Sequence, residues 1–286
     1  MIFQKKNLRK FTISTFLLFL TLFFPYQYSF SDQIESERLT KEAPLPSMIT
    51  KEAVPSKQRW YVGSFYDLGN TVQGQRTGEW QEIDGWLGYQ FDKANVYGSF
   101  SQLRRFHEKD YTANLGAYFS LNNYYIHEEL GGGWDADFIY KFQNILEVSH
   151  KLYKNLFWEM GYNYRNYSYN DNYLAYPGLI YYFGDNYASI NYGVTHIESR
   201  GTGQFGTLKG SLALTKRLRW QIGTSIGQWL YDIYGLSSQK EYGYIAFTMF
   251  NIELFKGVHL GLGYSYGTEK PKFIKRSFDC SLSYSF

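Results

Sequence analysis

From Arg59 onward, apolar and polar residues alternate along most of the chain. The clearest case sets Val258, Leu260, Leu262, Tyr264 and Tyr266 against His259, Gly261, Gly263, Ser265 and Gly267. Leu156, Trp158, Met160, Tyr162 and Tyr164 make a second apolar face, opposed by Glu159, Gly161, Asn163 and Arg165. Tyr111, Ala113, Leu115, Ala117 and Phe119 make a third. Successive side chains point to opposite faces of a strand, so each stretch predicts a strand with one apolar and one polar or small face. Such segments recur near 59–68, 78–91, 94–104, 110–120, 123–132, 138–149, 155–167, 172–183, 186–198, 205–216, 219–230, 241–253, 257–267 and 273–286. The alternation is less clean in 123–132 and 241–253, which leaves their register weakly specified.

The last segment puts Ile274, Phe278, Cys280, Leu282, Tyr284 and Phe286 on one face, and Ser277, Asp279, Ser281, Ser283 and Ser285 on the other. It ends on an aromatic and resembles the closing strand of a bacterial outer-membrane β-barrel. In that reading Leu282, Tyr284 and Phe286 form the signal recognised by the barrel-assembly machinery. The punctuation agrees. Polar connections at 69–77, 105–109, 133–137, 168–171, 199–204, 231–240 and 268–272 follow the odd-numbered segments, and short turns such as Asp92-Lys93, Leu121-Asn122 and Gly184-Asp185 follow the even ones. Outer-membrane barrels carry long extracellular loops and short periplasmic turns. The expected fold is all-β, a transmembrane up-and-down antiparallel barrel of about fourteen strands, or twelve if a weak hairpin merges, with both termini periplasmic. Closure pairs every backbone N–H and C=O within lipid, which an open sheet cannot do.

The first residues read differently. Lys5, Lys6, Arg9 and Lys10 precede an apolar run from Phe11 to Phe24, and Ser29-Phe30-Ser31 offers a cleavage site. This is the layout of a signal peptide over 1–31, and its apolar run is too short for a spanning helix. Residues 32–58, rich in Glu, Lys, Ser and Pro, read as a flexible periplasmic tether ahead of the barrel at 59–286.

Composition sharpens this. Aromatics are 21% of residues, with 29 Tyr against 7 Trp, which suits interfacial girdles and a Tyr-rich wall. A mean hydropathy of −0.41 excludes a helical membrane protein and fits a barrel whose strands half face a polar lumen. One Cys, Cys280, permits no intramolecular disulfide and no cysteine-based metal motif. A scattered net charge of +3 implies no nucleic-acid partner.

For chemistry, phase places Glu82, Asp84, Trp86, Lys141, Glu147, Glu159, Arg165, Lys209 and Asp279 towards the lumen. Charged groups at membrane depth must face water or one another. Their mixed signs favour internal networks over a selectivity ring. They either line a wet pore or lock together and plug it. Trp80 and Trp86 share the phase of Glu82 and are placed to stack on sugars or to fill volume. Catalysis would need a base and a hydroxyl on one face. The nearest arrangement, His196-Ile197-Glu198-Ser199, puts His196 and Ser199 on opposite faces. His107, His127, His150 and His259 stand singly, and no spacing suggests zinc or another cofactor. Gly131-Gly132-Gly133-Trp134 and Gly201-Thr202-Gly203 read as loops, but neither precedes a helix that would make a phosphate cradle.

Tyr97-Gly98-Ser99-Phe100, Arg104-Arg105-Phe106, Ala117-Tyr118, the stretch Leu146 to Tyr167 and the segment Tyr176 to Tyr187 together resemble the YaiO-type outer-membrane β-barrel proteins. The resemblance spans residues 60 to 286 and implies an outer-membrane barrel. Some members of that family come joined to helical repeats or alongside envelope-glycan genes; no such repeat precedes this barrel, and the family supplies no catalytic residues. The expectation is a non-enzymatic channel or binding barrel for a small or glycan-type solute, or an accessory to envelope-glycan export. Its partners would be outer-membrane lipid, lipopolysaccharide and a periplasmic or glycan-export protein. The alternatives are a lipid-modifying enzyme of phospholipase or acyltransferase type at the outer rim, and a purely structural anchor.

Overall fold

A computed structural model describes residues 60–286 apart from 74–75, 106–107, 137–138, 169, 199–200, 230–240 and 270–272. The expected signal peptide and tether lie outside the described residues, as does His107. The described chain forms fourteen strands: β1 (Trp60–Gln73), β2 (Arg76–Gln90), β3 (Ala94–Arg105), β4 (Glu108–Leu121), β5 (Tyr124–Trp134), β6 (Phe142–Tyr153), β7 (Leu156–Asn166), β8 (Asp171–Phe183), β9 (Asn186–Ile197), β10 (Gly201–Ala213), β11 (Leu218–Trp229), β12 (Glu241–Phe255), β13 (Val258–Glu269) and β14 (Phe273–Ser285). Each pairs antiparallel with its neighbours in sequence, and β1 pairs with β14 to close the barrel. At the seam Trp60 and Phe286 exchange backbone hydrogen bonds of 3.1 and 2.9 Å.

Carried around all fourteen strands, the register returns to β1 displaced by fourteen residues. With equal strand number and shear, the strands tilt by about 37° and the backbone cylinder is roughly 25 Å across. Alternation then assigns every residue to lumen or exterior. Leu115, Leu130, Leu146, Met160, Ile190, Leu208 and Ile222 face outward and are exposed, as an apolar band requires. Aromatics rim the band at both ends. Trp60 packs on Tyr89 at one end (4.8 Å between centroids), and Tyr111 stacks on Trp134 at the other (6.1 Å).

The two ends differ less than the polar stretches predict. Turns at the end holding Trp60 and Phe286, here the turn end, are tight, with Asn122 (φ 56°) and Gly184 (φ 66°) in the left-handed region. At the opposite, loop end, the expected loops 69–77 and 105–109 are strand at every described residue: Gln73 pairs with Arg76, and Arg105 with Glu108. Cross-strand hydrogen bonds hold such arms whatever their side-chain polarity, so Asn70-Thr71 continues a strand although it reads as loop. Between strand bounds, only 135–141 and 230–240 are longer than four residues, and 230–240 is outside the described residues. The glycines 131–133 and 201–203 also fall inside β5 and β10.

The outward face makes a direct prediction. Leu208→Arg places a cation in the apolar band and should destabilise the barrel by about 2–4 kcal/mol. Urea unfolding in lipid vesicles measures this.

Candidate functional site

The lumen is built on a recurring pair. Six inward aromatics lie over a glycine directly opposite on the next strand: Trp86 on Gly63, Tyr61 on Gly88, Tyr97 on Gly116, Tyr176 on Gly161, Phe205 on Gly193 and Phe247 on Gly223. A Cβ at any of these glycines would fall within the ring. Each ring therefore lies along the wall, where a bulkier neighbour would push it into the bore.

Towards the loop end the lumen is a packed interior. Leu103, Ile139, Leu174, Ile197, Phe205 and Ile245 are buried there, each at 4% exposure or less, which a water-filled bore would not permit. Ile139 and Tyr140, between β5 and β6, contribute to it. Ile139 and Tyr140 pack on Leu103 and Tyr167, the Ile139 N–H donates to Asp110 Oδ2 (3.0 Å), and Tyr140 donates to Asn114 Oδ1 (2.9 Å). Any Cβ at Gly133 would strike the Tyr140 carbonyl, and one at Gly131 would strike the Asn114 side chain, which explains these two glycines. Lys141, expected on the lumenal wall, lies just before β6 and is exposed, with its backbone bonded to Gly133 and Asn166 on either side. The segment expected at 138–149 accordingly begins only at Phe142.

Two charged networks occupy the wall. On β14, β1 and β2, Asp67 stands opposite both Glu82 and Asp279 in register, with Asp84 one inward position along β2. Lys275 Nζ donates to Asp67 Oδ2 at 3.0 Å, with both side chains fully buried, and lies 5.6 Å from the Trp80 ring centroid. Neither Asp67 nor Lys275 was singled out from sequence, although both share the inward phase of their strands.

The second network crosses β3 to β9. Tyr97 donates to Glu129 Oε2 (2.6 Å) and Gln143 to Glu129 Oε1 (2.7 Å). Arg165 donates from Nε to Gln143 (2.8 Å) and lies over Tyr140. His127 is held through both ring nitrogens, Nε2 to the Tyr97 hydroxyl (2.9 Å) and Nδ1 to Glu147 (2.8 Å), and stacks on Tyr118 at 4.1 Å. Tyr176 donates to Glu147 Oε1, and Asn191 to Glu159 Oε1 (2.7 Å). His127 thus stands at the centre of a cluster rather than singly. The sequence could not show this, because its hydrogen-bond partners come from strands 30 and 20 residues away. Glu147, Glu159, Arg165 and Lys209 share this wall, whereas Glu82, Asp84, Trp86 and Asp279 lie on the other side of the bore.

Towards the turn end, Trp86, Tyr118, Tyr125, His127, Glu159, Tyr182, Tyr187, Lys209, Arg219 and Gln221 are half-buried, leaving a cup lined by rings, amides and charges. Tyr125, Phe157, Tyr182 and Tyr187 form a continuous aromatic ribbon along its rim, with centroids 5.3–6.0 Å apart. Among the described residues no group of His, Cys, Asp or Glu is arranged to hold a metal ion.

On the exterior, His196 faces outward near the loop end. Its hydroxyl partner among the described residues is Thr202 on the neighbouring strand (Nδ1 to Oγ1, 3.0 Å); Ser199 lies outside the described residues. Glu198 shares its face without bonding to it. A base and hydroxyl therefore meet there, and no carboxylate among the described residues is bonded to the imidazole.

A closed fourteen-strand barrel with an apolar exterior and a polar, partly filled lumen defines an outer-membrane β-barrel. The model of the YaiO membrane beta barrel domain matches residues 67–214, and the chain belongs to that family. No curated protein matches it by sequence. Among solved structures it is similar to the CymD monoaromatic hydrocarbon channel (TM-score 0.58, 8% identity, 84% of this chain and 90% of that one). It also aligns with the translocator domain of autotransporter NalP from Neisseria meningitidis (TM-score 0.45, 12% identity, 80% and 88%) and with Pseudomonas aeruginosa OpdO (TM-score 0.43, 9% identity, 80% and 97%). The first likeness concerns the fold alone, and the other two carry no further weight.

Two substitutions test the lumenal architecture. Gly161→Ala should cost about 1–3 kcal/mol by displacing Tyr176, and much of that cost should vanish in Gly161→Ala/Tyr176→Ala, a coupling read by a double-mutant cycle of unfolding free energies. Lys275→Met withdraws the cation from Asp67, Glu82 and Asp279 and should cost about 3–5 kcal/mol in the same assay.

Proposed function

We propose that this protein is a non-enzymatic outer-membrane barrel that binds or conducts a small, polar, glycan-type solute through the cup at its turn end. The observation that carries this reading is the division of the lumen into a packed loop-end half and an accessible half lined by aromatic and hydrogen-bonding side chains. Aromatic faces beside amides and carboxylates suit the alternating apolar and hydroxyl faces of a sugar ring. With the termini on the periplasmic side, the cup opens to the periplasm, and the core that includes Ile139 and Tyr140 stands between it and the exterior. Assistance to envelope-glycan export is the wider role that this orientation suits, with a periplasmic partner supplying the chain. Assembly would use the outward Leu282, Tyr284 and Phe286 of the closing strand. An acyl-transfer role at His196 and Thr202 has less support, because no carboxylate among the described residues is bonded to the histidine.

Planar-bilayer conductance of the refolded barrel tests the proposal. Wild type should stay near baseline, and Ile139→Ser/Tyr140→Ala should give steady openings that oligosaccharides block. Large steady wild-type currents would overturn the closed half of this reading. Openings in the variant that no oligosaccharide affects, together with unchanged Trp fluorescence on adding oligosaccharide, would overturn the glycan half.

A further inference from the structure

Glu128 and Glu129 are consecutive in β5, so the strand must turn one carboxylate inward and the other outward. Glu129 takes the lumen, where Tyr97 and Gln143 bind it. Glu128 takes the exterior, where it is exposed. Its register partners are Ala117 and Leu146, and the next outward residues along β5 are Ile126 and Leu130. Four residues separate it from Tyr124 and six from Trp134, the aromatics that mark the two edges of the band on this strand. At the vertical rise of a tilted strand it stands roughly 10 Å inside the turn-end edge of an apolar band about 25 Å tall.

Lipid offers a carboxyl at that depth neither water nor a hydrogen-bond donor. We infer that the outward face of β4–β6 is where two copies of this chain pair in the membrane, with Glu128 meeting Glu128 of the second copy. The membrane itself selects this occupant. A two-fold axis along the bilayer normal brings identical residues together at identical depth, so each carboxyl finds a partner of its own kind. Two carboxyls sharing one or two protons satisfy each other's donors and acceptors in apolar surroundings. Ala117 stands directly beside Glu128, and Ala113 and Gly132 pair two outward rows along, beyond Leu115 and Leu130, so small residues on this face let the two walls approach. Outward Asn144, one strand over and nearer the loop end, adds an amide to the same face.

The test uses the full-length protein in native outer membranes and in lipid nanodiscs, with heat-modified gel migration as the control for folding. Glu128→Cys should form a disulfide-linked homodimer on mild oxidation, while Leu208→Cys, on the far side of the barrel, should not. By mass measurement in nanodiscs, Glu128→Gln should keep the dimer, because amides can pair as carboxyls do, and Glu128→Leu should lose it at least tenfold in dimer affinity. A folded wild type that is monomeric at every protein-to-lipid ratio overturns the inference. So does cross-linking that joins Glu128→Cys to a different polypeptide, or dimers that persist unchanged in Glu128→Leu. Conductance and sugar binding by the lumen are read separately and do not depend on this outcome.

Discussion

Closure of the backbone ladder is the constraint on which the rest of this molecule depends. Within lipid an unpaired N–H or C=O costs several kcal/mol, so β1 must find β14 and all fourteen strands must share a consistent register. That register fixes tilt and diameter, assigns each side chain to lumen or lipid, and sets each residue's depth. A one-residue slip anywhere would carry Arg165 or Lys275 into the apolar band and Leu208 into the bore.

A cylinder roughly 25 Å across is wider than ordinary side chains can fill from the wall alone. Near the turn end the rings rest along the wall on cross-strand glycines, and the space stays accessible. Near the loop end, branched aliphatics and the inward turn at Ile139 and Tyr140 make a small hydrophobic core inside the barrel. Polar groups tolerate burial there because they are placed to bind one another, as in the chain from Arg165 through Gln143 and Glu129 to Tyr97. These networks also hold the strands at fixed spacing, since Tyr97 and Tyr176 each reach past one strand to bond the next. Rigidity and occlusion therefore come from the same contacts.

The exterior obeys a simpler rule, which makes departures from it informative. Aliphatic residues at mid-depth and aromatics at the rims need no partner beyond lipid. His196 and Thr202 lie near one rim, where headgroups and water can still reach them. Glu128 has neither, and its neighbours in register are alkyl groups.

Much of this was legible in the chain itself. Clean alternation in β4, β7, β13 and β14 revealed the faces, the strand count and the barrel, because a period of two is a local property that the chain displays residue by residue. Glu82, Asp84, Trp86, Glu147, Glu159, Arg165, Lys209 and Asp279 were assignable to the lumen for the same reason. Where hydrophobicity marked no boundary, strand ends were hidden: polar arms such as Asn70-Thr71 continue the ladder through backbone bonds that side chains do not report. The start of β6 was hidden because Ile139 and Tyr140 before it are held by Asp110 and Asn114 of β4. The pairing of His127 with Glu147, the buried Lys275–Asp67 contact and the division of the lumen into core and cup belong to tertiary structure alone. Each depends on which strands the closed register sets side by side, and on how far a ring or a loop then reaches across the bore.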